Sequence, residues 1–341
     1  MPVHNTRQLT PALLTRLFVL GLLIPALLGV FTYVGFFTNF TTGVFHQAGF
    51  EQQYLHSSIY RFRVLGTHLL LWTYEQIKDW PLADFAPYGL KSVDKNGDAN
   101  FYYAYFLQNT AFLCATCVTL VLAFARHARQ QDFFHIDVPV FFLALLMSFA
   151  QFVITPYDTL SYFLLAVGML LAAQPTPGLL NGLLLALTMV LATLTRETAA
   201  LLLAFYFALH RHKILCRRLT PQQLRLLLLT LLFLLTYWAL RWQLGMENAT
   251  YHRFRLLRNF SDDPLPIIGG LFFPAMLALF FTDHHGRGTM GVFLLASLPY
   301  WLMMFAVAYP WEIRLWVPII QLMVFLKLLS DNPTATGKTE T

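Results

Sequence analysis

One apolar run, residues 179–210, constrains this chain most, because it is interrupted near its middle by the adjacent charges Arg196 and Glu197. A charge at bilayer depth is costly unless it is paired or faces water, so an ionisable residue there marks a candidate functional site. At ~1.5 Å per residue, helices on either side of the pair would measure about 26 and 20 Å, against a ~30 Å hydrocarbon core. Neither half spans comfortably alone. The spacing predicts two helices meeting at a turn recessed below one membrane surface, with Arg196 and Glu197 lining a wet, protein-walled cavity. Taken instead as a single tilted helix, the run would invert the topology of everything after it.

With 57% hydrophobic and 12% charged residues, against roughly 25% charged in soluble domains, this is an all-α polytopic membrane protein. The formal net charge is +6. Its basic residues fall in short clusters between apolar runs, the pattern of cytoplasmic loops rather than of a nucleic-acid-binding surface. Cys114 and Cys117 lie within an apolar helix and Cys216 in a basic loop, which is neither a disulfide framework nor a metal site.

Ten spans are expected, at 17–37, 101–124, 138–155, 160–173, the two halves of 179–210, 224–240, 264–281, 292–307 and 313–329. Arg7 and Arg16 precede the first span, which lacks a small-x-small cleavage site and is expected to be a retained anchor with its N-terminus in the cytoplasm. Both termini are then cytoplasmic, residues 1–329 form a single transmembrane domain, and 330–341 are a disordered cytoplasmic tail. Residues 38–100 and 241–263 are outer loops. The first is too long for a plain connector. It contains an apolar stretch at Val64–Ile77, too short to span and suited to an interfacial helix. Sequons at Asn39, Asn248 and Asn259 fall on the outer side, though so short a pattern arises often by chance.

Under this topology Glu51, Arg61, Arg63, Asp158, Arg196, Glu197, Glu312 and Arg314 collect on the outer side, next to or within apolar helices. Together they point to one cavity at the outer leaflet. Acid and base adjoin at 196/197 and at 312/314, which lowers the cost of partial burial. Each residue also has a structural role open to it. Glu51 can be a solvated loop carboxylate, and Asp158 can cap a helix beginning at Thr159. Arg61 and Arg63 can snorkel to headgroups between Tyr60 and Phe62. The 196/197 and 312/314 pairs can fasten helix ends.

The strings Tyr60-Arg61-Phe62-Arg63-Val64-Leu65, Pro156-Tyr157-Asp158-Thr159, Thr195-Arg196-Glu197-Thr198 and Glu312-Ile313-Arg314-Leu315, with Pro318 beyond the last, carry a family likeness. In these the chain resembles uncharacterised bacterial integral membrane proteins of the GT-C glycosyltransferase superfamily, over most of residues 13–329. The resemblance implies a GT-C-like fold in the bacterial inner (plasma) membrane, with an active site on the outer side. It implies transfer of a sugar from a polyprenyl-phosphate-linked donor to a glycan, lipid or protein acceptor. It also implies an acidic residue of the first outer loop that serves as base or positions a divalent metal. Glu51 is the nearest match, without the acidic company usual in the superfamily; Asp158 is the alternative, and Asp94 and Asp98 share the outer segment. Arg61, Arg63, Arg196 and Arg314 would hold the donor phosphate.

The chemistry asks for these residue types without the family name. An attacking hydroxyl must lose its proton to a carboxylate in contact with it, and a departing lipid phosphate gains charge that arginines can meet through paired donors. A transporter or flippase for a lipid-linked or anionic substrate is the main alternative, although the chain shows no internal repeat and its charges cluster towards one surface rather than the midplane. A membrane scaffold without activity is the third.

Overall fold

The computed structural model describes residues 10–35, 44–56, 59–82, 89–127, 133–174, 178–245, 284–309 and 312–330. Its longer helices are α1 (Pro11–Gly35), α2 (Val64–Ile77), α3 (Ala99–His127), α4 (Phe133–Ala150), α5 (Asp158–Ala172), α6 (Leu179–Thr195), α7 (Ala200–Ile214), α8 (Pro221–Leu244), α9 (His284–Ala296), α10 (Leu298–Val307) and α11 (Ile313–Ser330). Among the described residues there is no strand.

Five of these helices, α1, α3, α4, α8 and α11, are long and apolar enough to cross a bilayer; α9 and α10, bent by 49° at Ser297, make a sixth if taken as one span. α5 and α6 are apolar but shorter. The chain is therefore an all-α membrane protein. The expected span at 264–281 lies outside the described residues, as do the three sequons, most of the 241–263 loop and the tail from residue 331.

Hydrogen bonds at the two ends of α5 fix the direction of its neighbours. Near its start the Ser161 hydroxyl bonds that of Thr198 at 2.9 Å. At its end the Leu171 carbonyl accepts from Asn181 Nδ2 at 3.2 Å, and the Ala172 carbonyl lies 3.1 Å from His210 Nε2. α6 thus runs antiparallel to α5 and α7 parallel to it, so the chain reverses at Arg196. That residue is fully extended (φ −166°, ψ 149°) and ends α6; a single 3-10 turn, Glu197–Ala199, leads into α7. The single-helix alternative does not hold.

The other long helices alternate in the same way. Arg16 at the start of α1 makes a two-pronged pair with Asp137 of α4, at 2.8 and 3.0 Å, at the end opposite Asp158. Tyr33 near the end of α1 meets Asn109 of α3 at 2.7 Å. The far end of α3 stacks Phe124 on Phe325 of α11. The chain stands at the Asp158 end at Gly245, beside Arg61, and at the opposite end at Gly288, beside Arg211.

α11 forms the centre of the bundle, with 72% of its residues buried. α8 is the reverse: only 6% of its apolar window is buried, and Leu224, Leu227, Leu231 and Leu235 point away from the protein. Such a face suits contact with lipid, which satisfies apolar side chains as well as a core does.

A second, aromatic cluster sits at the Asp158 end, where Phe45, Phe50 and Tyr54 from the segment between α1 and α2 pack on Phe101, Tyr102 and Tyr105 of α3. α2 takes the bounds expected from the sequence. Its C-terminal carbonyls at Ile77 and Lys78, and that of Trp80, all accept from Asn100 Nδ2 at 2.6–3.0 Å.

Asp94 ties the segments on either side of α2 together, accepting from the Phe45 N–H (2.7 Å) and the Asn96 N–H (3.0 Å), with His46 Nδ1 2.7 Å away. Burial alone would raise its pKa, but those bonds outweigh it and hold the carboxyl below the ordinary 3.8. A carboxyl lowered in the folded state adds stability that is present above its unfolded value and lost as pH falls through the folded one. Acid melting curves of the detergent-solubilised protein should therefore steepen below about pH 3.8. Asp94→Asn should lower the melting temperature at neutral pH and flatten that limb. Parallel acid limbs for the two proteins would show that the bonds contribute nothing.

Candidate functional site

The site is built outwards from the turn joining α4 to α5. Pro156 disfavours helix in the residue before it, leaving two carbonyls inside the bundle that need donors. Consecutive amides of α3 supply them. Gln108 Nε2 donates to the Pro156 carbonyl at 2.6 Å and Asn109 Nδ2 to that of Thr155 at 3.1 Å. Asn109 Oδ1 accepts in turn from the Thr159 hydroxyl at 2.6 Å. On the other side α2 approaches so closely that a Cβ on Gly66 would lie 2.6 Å from the Pro156 carbonyl oxygen and 2.8 Å from the Tyr157 Cα. Both neighbours are backbone, so only glycine fits there.

So held, α5 begins at Asp158 rather than Thr159, and the Asp158 side chain does not cap the helix. It points inwards. Its Oδ1 accepts from Arg196 Nη1, and its Oδ2 lies 3.7 Å from Arg314 Nη1. Arg314 also donates through Nε to Glu312 Oε2 at 2.7 Å. Arg63 Nη2 stands 3.3 Å from Glu197 Oε2, with its guanidinium 4.4 Å from the Tyr157 ring centre and 5.1 Å from that of Tyr60.

Three guanidiniums and three carboxylates thus alternate, which offsets the cost of taking charge out of water. The expected pairing of neighbours holds at 312/314 but not at 196/197. Extended Arg196 reaches Asp158, whereas Glu197, in the following turn, faces Arg63.

Arg314 is further placed through its own backbone. Pro318, four residues on, has no N–H for the Arg314 carbonyl. The Tyr162 hydroxyl donates to that carbonyl at 3.3 Å, and the Tyr300 hydroxyl to the next one, of Leu315, at 3.1 Å.

Beside the charges lies a cavity of about 250 Å³. Its lining combines polar residues, Tyr60, Arg63, Arg196, Glu197, Thr198, Tyr300, Tyr309, Glu312 and Arg314, with the apolar Met303, Met304, Ala308 and Leu315. The structure therefore brings Arg63, Arg196, Glu197, Glu312 and Arg314 onto the lining of one cavity, with Asp158 behind them. Arg61 stands apart and donates to the Gly245 carbonyl at 2.8 Å. Glu51 is not on the lining: it ends the short helix Gln47–Glu51 and accepts from Gln47 Nε2 at 2.8 Å. Asp94 is held as described above, and Asp98 accepts from the Tyr74 hydroxyl at 2.9 Å.

Neither carboxylate expected to act as base thus faces the cavity; Glu197 and Glu312 do. Of the lining residues, Tyr300, Met303 and Met304 were not singled out in the sequence. Nor were Gln108 and Asn109, although adjacent amides in an apolar helix are themselves a signal of buried partners. Among the described residues no group of three or more His, Cys, Asp or Glu comes close enough together to hold a metal ion.

Comparison with protein-family models, curated proteins and solved structures gives no match.

Proposed function

We propose that this chain is a membrane glycosyltransferase of the GT-C kind, moving a sugar from a polyprenyl-phosphate-linked donor to an acceptor at the outer face of a bacterial plasma membrane. One observation carries the reading: a cavity at one end of the bundle is lined by three largely buried guanidiniums, two carboxylates and several apolar side chains. Those are the groups that a lipid-borne phosphate leaving group and a hydroxyl nucleophile require.

The reading includes the ten-crossing topology with both termini in the cytoplasm and α2 at the outer interface. The ends of α3, α7 and α11 away from the cavity, with the loop after α7, carry Arg126, Arg211, Lys213, Arg217, Arg218 and Lys327. A basic end of this kind supports placing it in the cytoplasm and the cavity outside.

In the reaction, the acceptor oxygen bonds the anomeric carbon as its proton passes to Glu312 or Glu197. The bond from that carbon to the phosphate oxygen breaks, and its electron pair leaves with the lipid phosphate. Arg63, Arg196 and Arg314 meet the added charge. Asp158 is then a positioning residue, holding Arg196 and Arg314 in place, and Glu51 takes no part.

The test is transfer from a radiolabelled polyprenyl-phosphate hexose in proteoliposomes of the purified full-length chain. Glu312→Gln or Glu197→Gln should lower transfer by about 100-fold or more in protein that still folds, its melting temperature reduced by the loss of one partner from an ion pair. Wild-type rates in both variants would remove the base assignment. Movement of intact donor across the bilayer, with no new glycosidic bond, would identify a flippase instead.

A further inference from the structure

A second cationic feature stands at the same end of the bundle, outside the cavity. Arg241, in the last turn of α8, lies between two rings, 4.4 Å from the centre of Phe62 and 4.1 Å from that of Tyr237, and donates to the Tyr237 hydroxyl at 2.5 Å. Arg61 lies 5.1 Å from the centre of the same Phe62 ring. Its Nη2 bonds the Gly245 carbonyl, which a left-handed backbone (φ +89°) presents at the end of α8.

The contrast with the cavity is chemical. Arg63, Arg196 and Arg314 each have a carboxylate within 4 Å, whereas among the described residues none stands that close to Arg241, which acts on Glu197 only at longer range. A guanidinium held between rings keeps N–H edges available to fork onto phosphate oxygens. The same stretch of α8 carries Trp238 and Trp242, stacked at 5.3 Å and 55% and 69% exposed. Exposed indoles at the end of a lipid-facing apolar helix sit at headgroup level, where one end of the ring is apolar and the other wet.

We infer that Arg61 and Arg241, with Trp238 and Trp242 beside them, form a binding site for the headgroup phosphate of an anionic membrane lipid. The site goes beyond the sugar-transfer reading and does not depend on it. Phe62 separates it from Arg63, so a lipid held there would border the cavity. The guanidiniums meet the phosphate charge, and the indoles hold the glycerol and upper acyl chain. Inorganic phosphate would gain only the first of these contacts.

The experiment is native mass spectrometry of the purified full-length protein in detergent with dioleoyl-phosphatidylglycerol, dioleoyl-phosphatidylcholine or inorganic phosphate. Wild type should retain phosphatidylglycerol in preference to phosphatidylcholine. Arg241→Gln and Arg61→Gln should each weaken that retention about fivefold, given ~1 kcal/mol per basic residue at a lipid surface. Arg241→Lys keeps the charge without the fork and should fall between, which separates lost binding from lost packing. Arg218→Gln, in the basic loop at the other end, should leave retention unchanged. The site is overturned by wild-type retention in the Arg61→Gln/Arg241→Gln double variant, by an equal loss in Arg218→Gln, or by equal retention of phosphatidylcholine. Inorganic phosphate displacing the lipid at equal concentration would likewise overturn it. No arm requires sugar transfer, so this inference and the proposed activity stand or fall separately.

Discussion

Arg196→Met should cost about 3–5 kcal/mol of stability, the range found when one member of a buried ion pair is removed. Arg196 and Asp158 are 3% and 4% exposed, so solvent screens little of the interaction. The variant leaves the Asp158 carboxylate with Arg314 alone, at 3.7 Å and already bonded to Glu312. The double variant Arg196→Met/Asp158→Leu should recover most of the loss, because an apolar pair of similar volume needs no solvation. Melting temperatures of the four proteins in one detergent close the cycle and give the coupling directly. Near-additive losses would mean that the two residues act independently, and the charge cluster could not then be treated as a unit. The double variant should fold and, if the proposed activity is right, still fail to transfer sugar, since it has lost a guanidinium from the cavity lining.

Asn109→Leu should be nearly as damaging, although no charge is involved. The side chain is 1% exposed and satisfies three partners: the Tyr33 hydroxyl, the Thr155 carbonyl and the Thr159 hydroxyl. Each polar group left buried without a partner costs about 1–3 kcal/mol, so a total of ~3 kcal/mol or more is expected. The turn it releases aims Asp158, so cavity geometry should suffer as well. Proteolysis at 155–157 and the melting temperature together read both effects. A melting temperature within a degree or two of wild type would show that the turn is held by something other than these amides.

The break at Arg196 was legible because its cause is local: two charges in an apolar run must leave the lipid, and a helix that stops is the cheapest way to do so. Val64–Ile77 was legible for a similar reason, its apolar residues filling a helix too short to span. Partner choice was not. Neighbours in sequence suggest a pair at 196/197, yet an extended residue sends its side chain away from that of the residue after it. The partners, Asp158 and Arg63, are set by how α2, α5 and α6 converge, which no local pattern encodes.

The same holds for Glu51. It shares the segment before α2 with Arg61 and Arg63, and its separation from the cavity lining depends on how that segment folds around its own aromatic cluster. Gln108 and Asn109 stand out as polar residues in an apolar helix, but their acceptors lie 48 and 46 residues further on.

The burial of α11 has a consequence for how the molecule is made. A chain leaves the ribosome N-terminus first, so α11 enters the bilayer after every other described helix, yet it occupies the centre. Until it arrives, the groove between α4, α5 and α7 is open, and the hydroxyls of Tyr162 and Tyr300 lack the carbonyls they later meet. Asp158 can already hold Arg196 at that stage, since the two lie on consecutive helices, but Arg314 comes only with α11. The cavity is therefore finished only once α11 has joined the bundle: a chain made as far as α8 has a paired aspartate and no finished site.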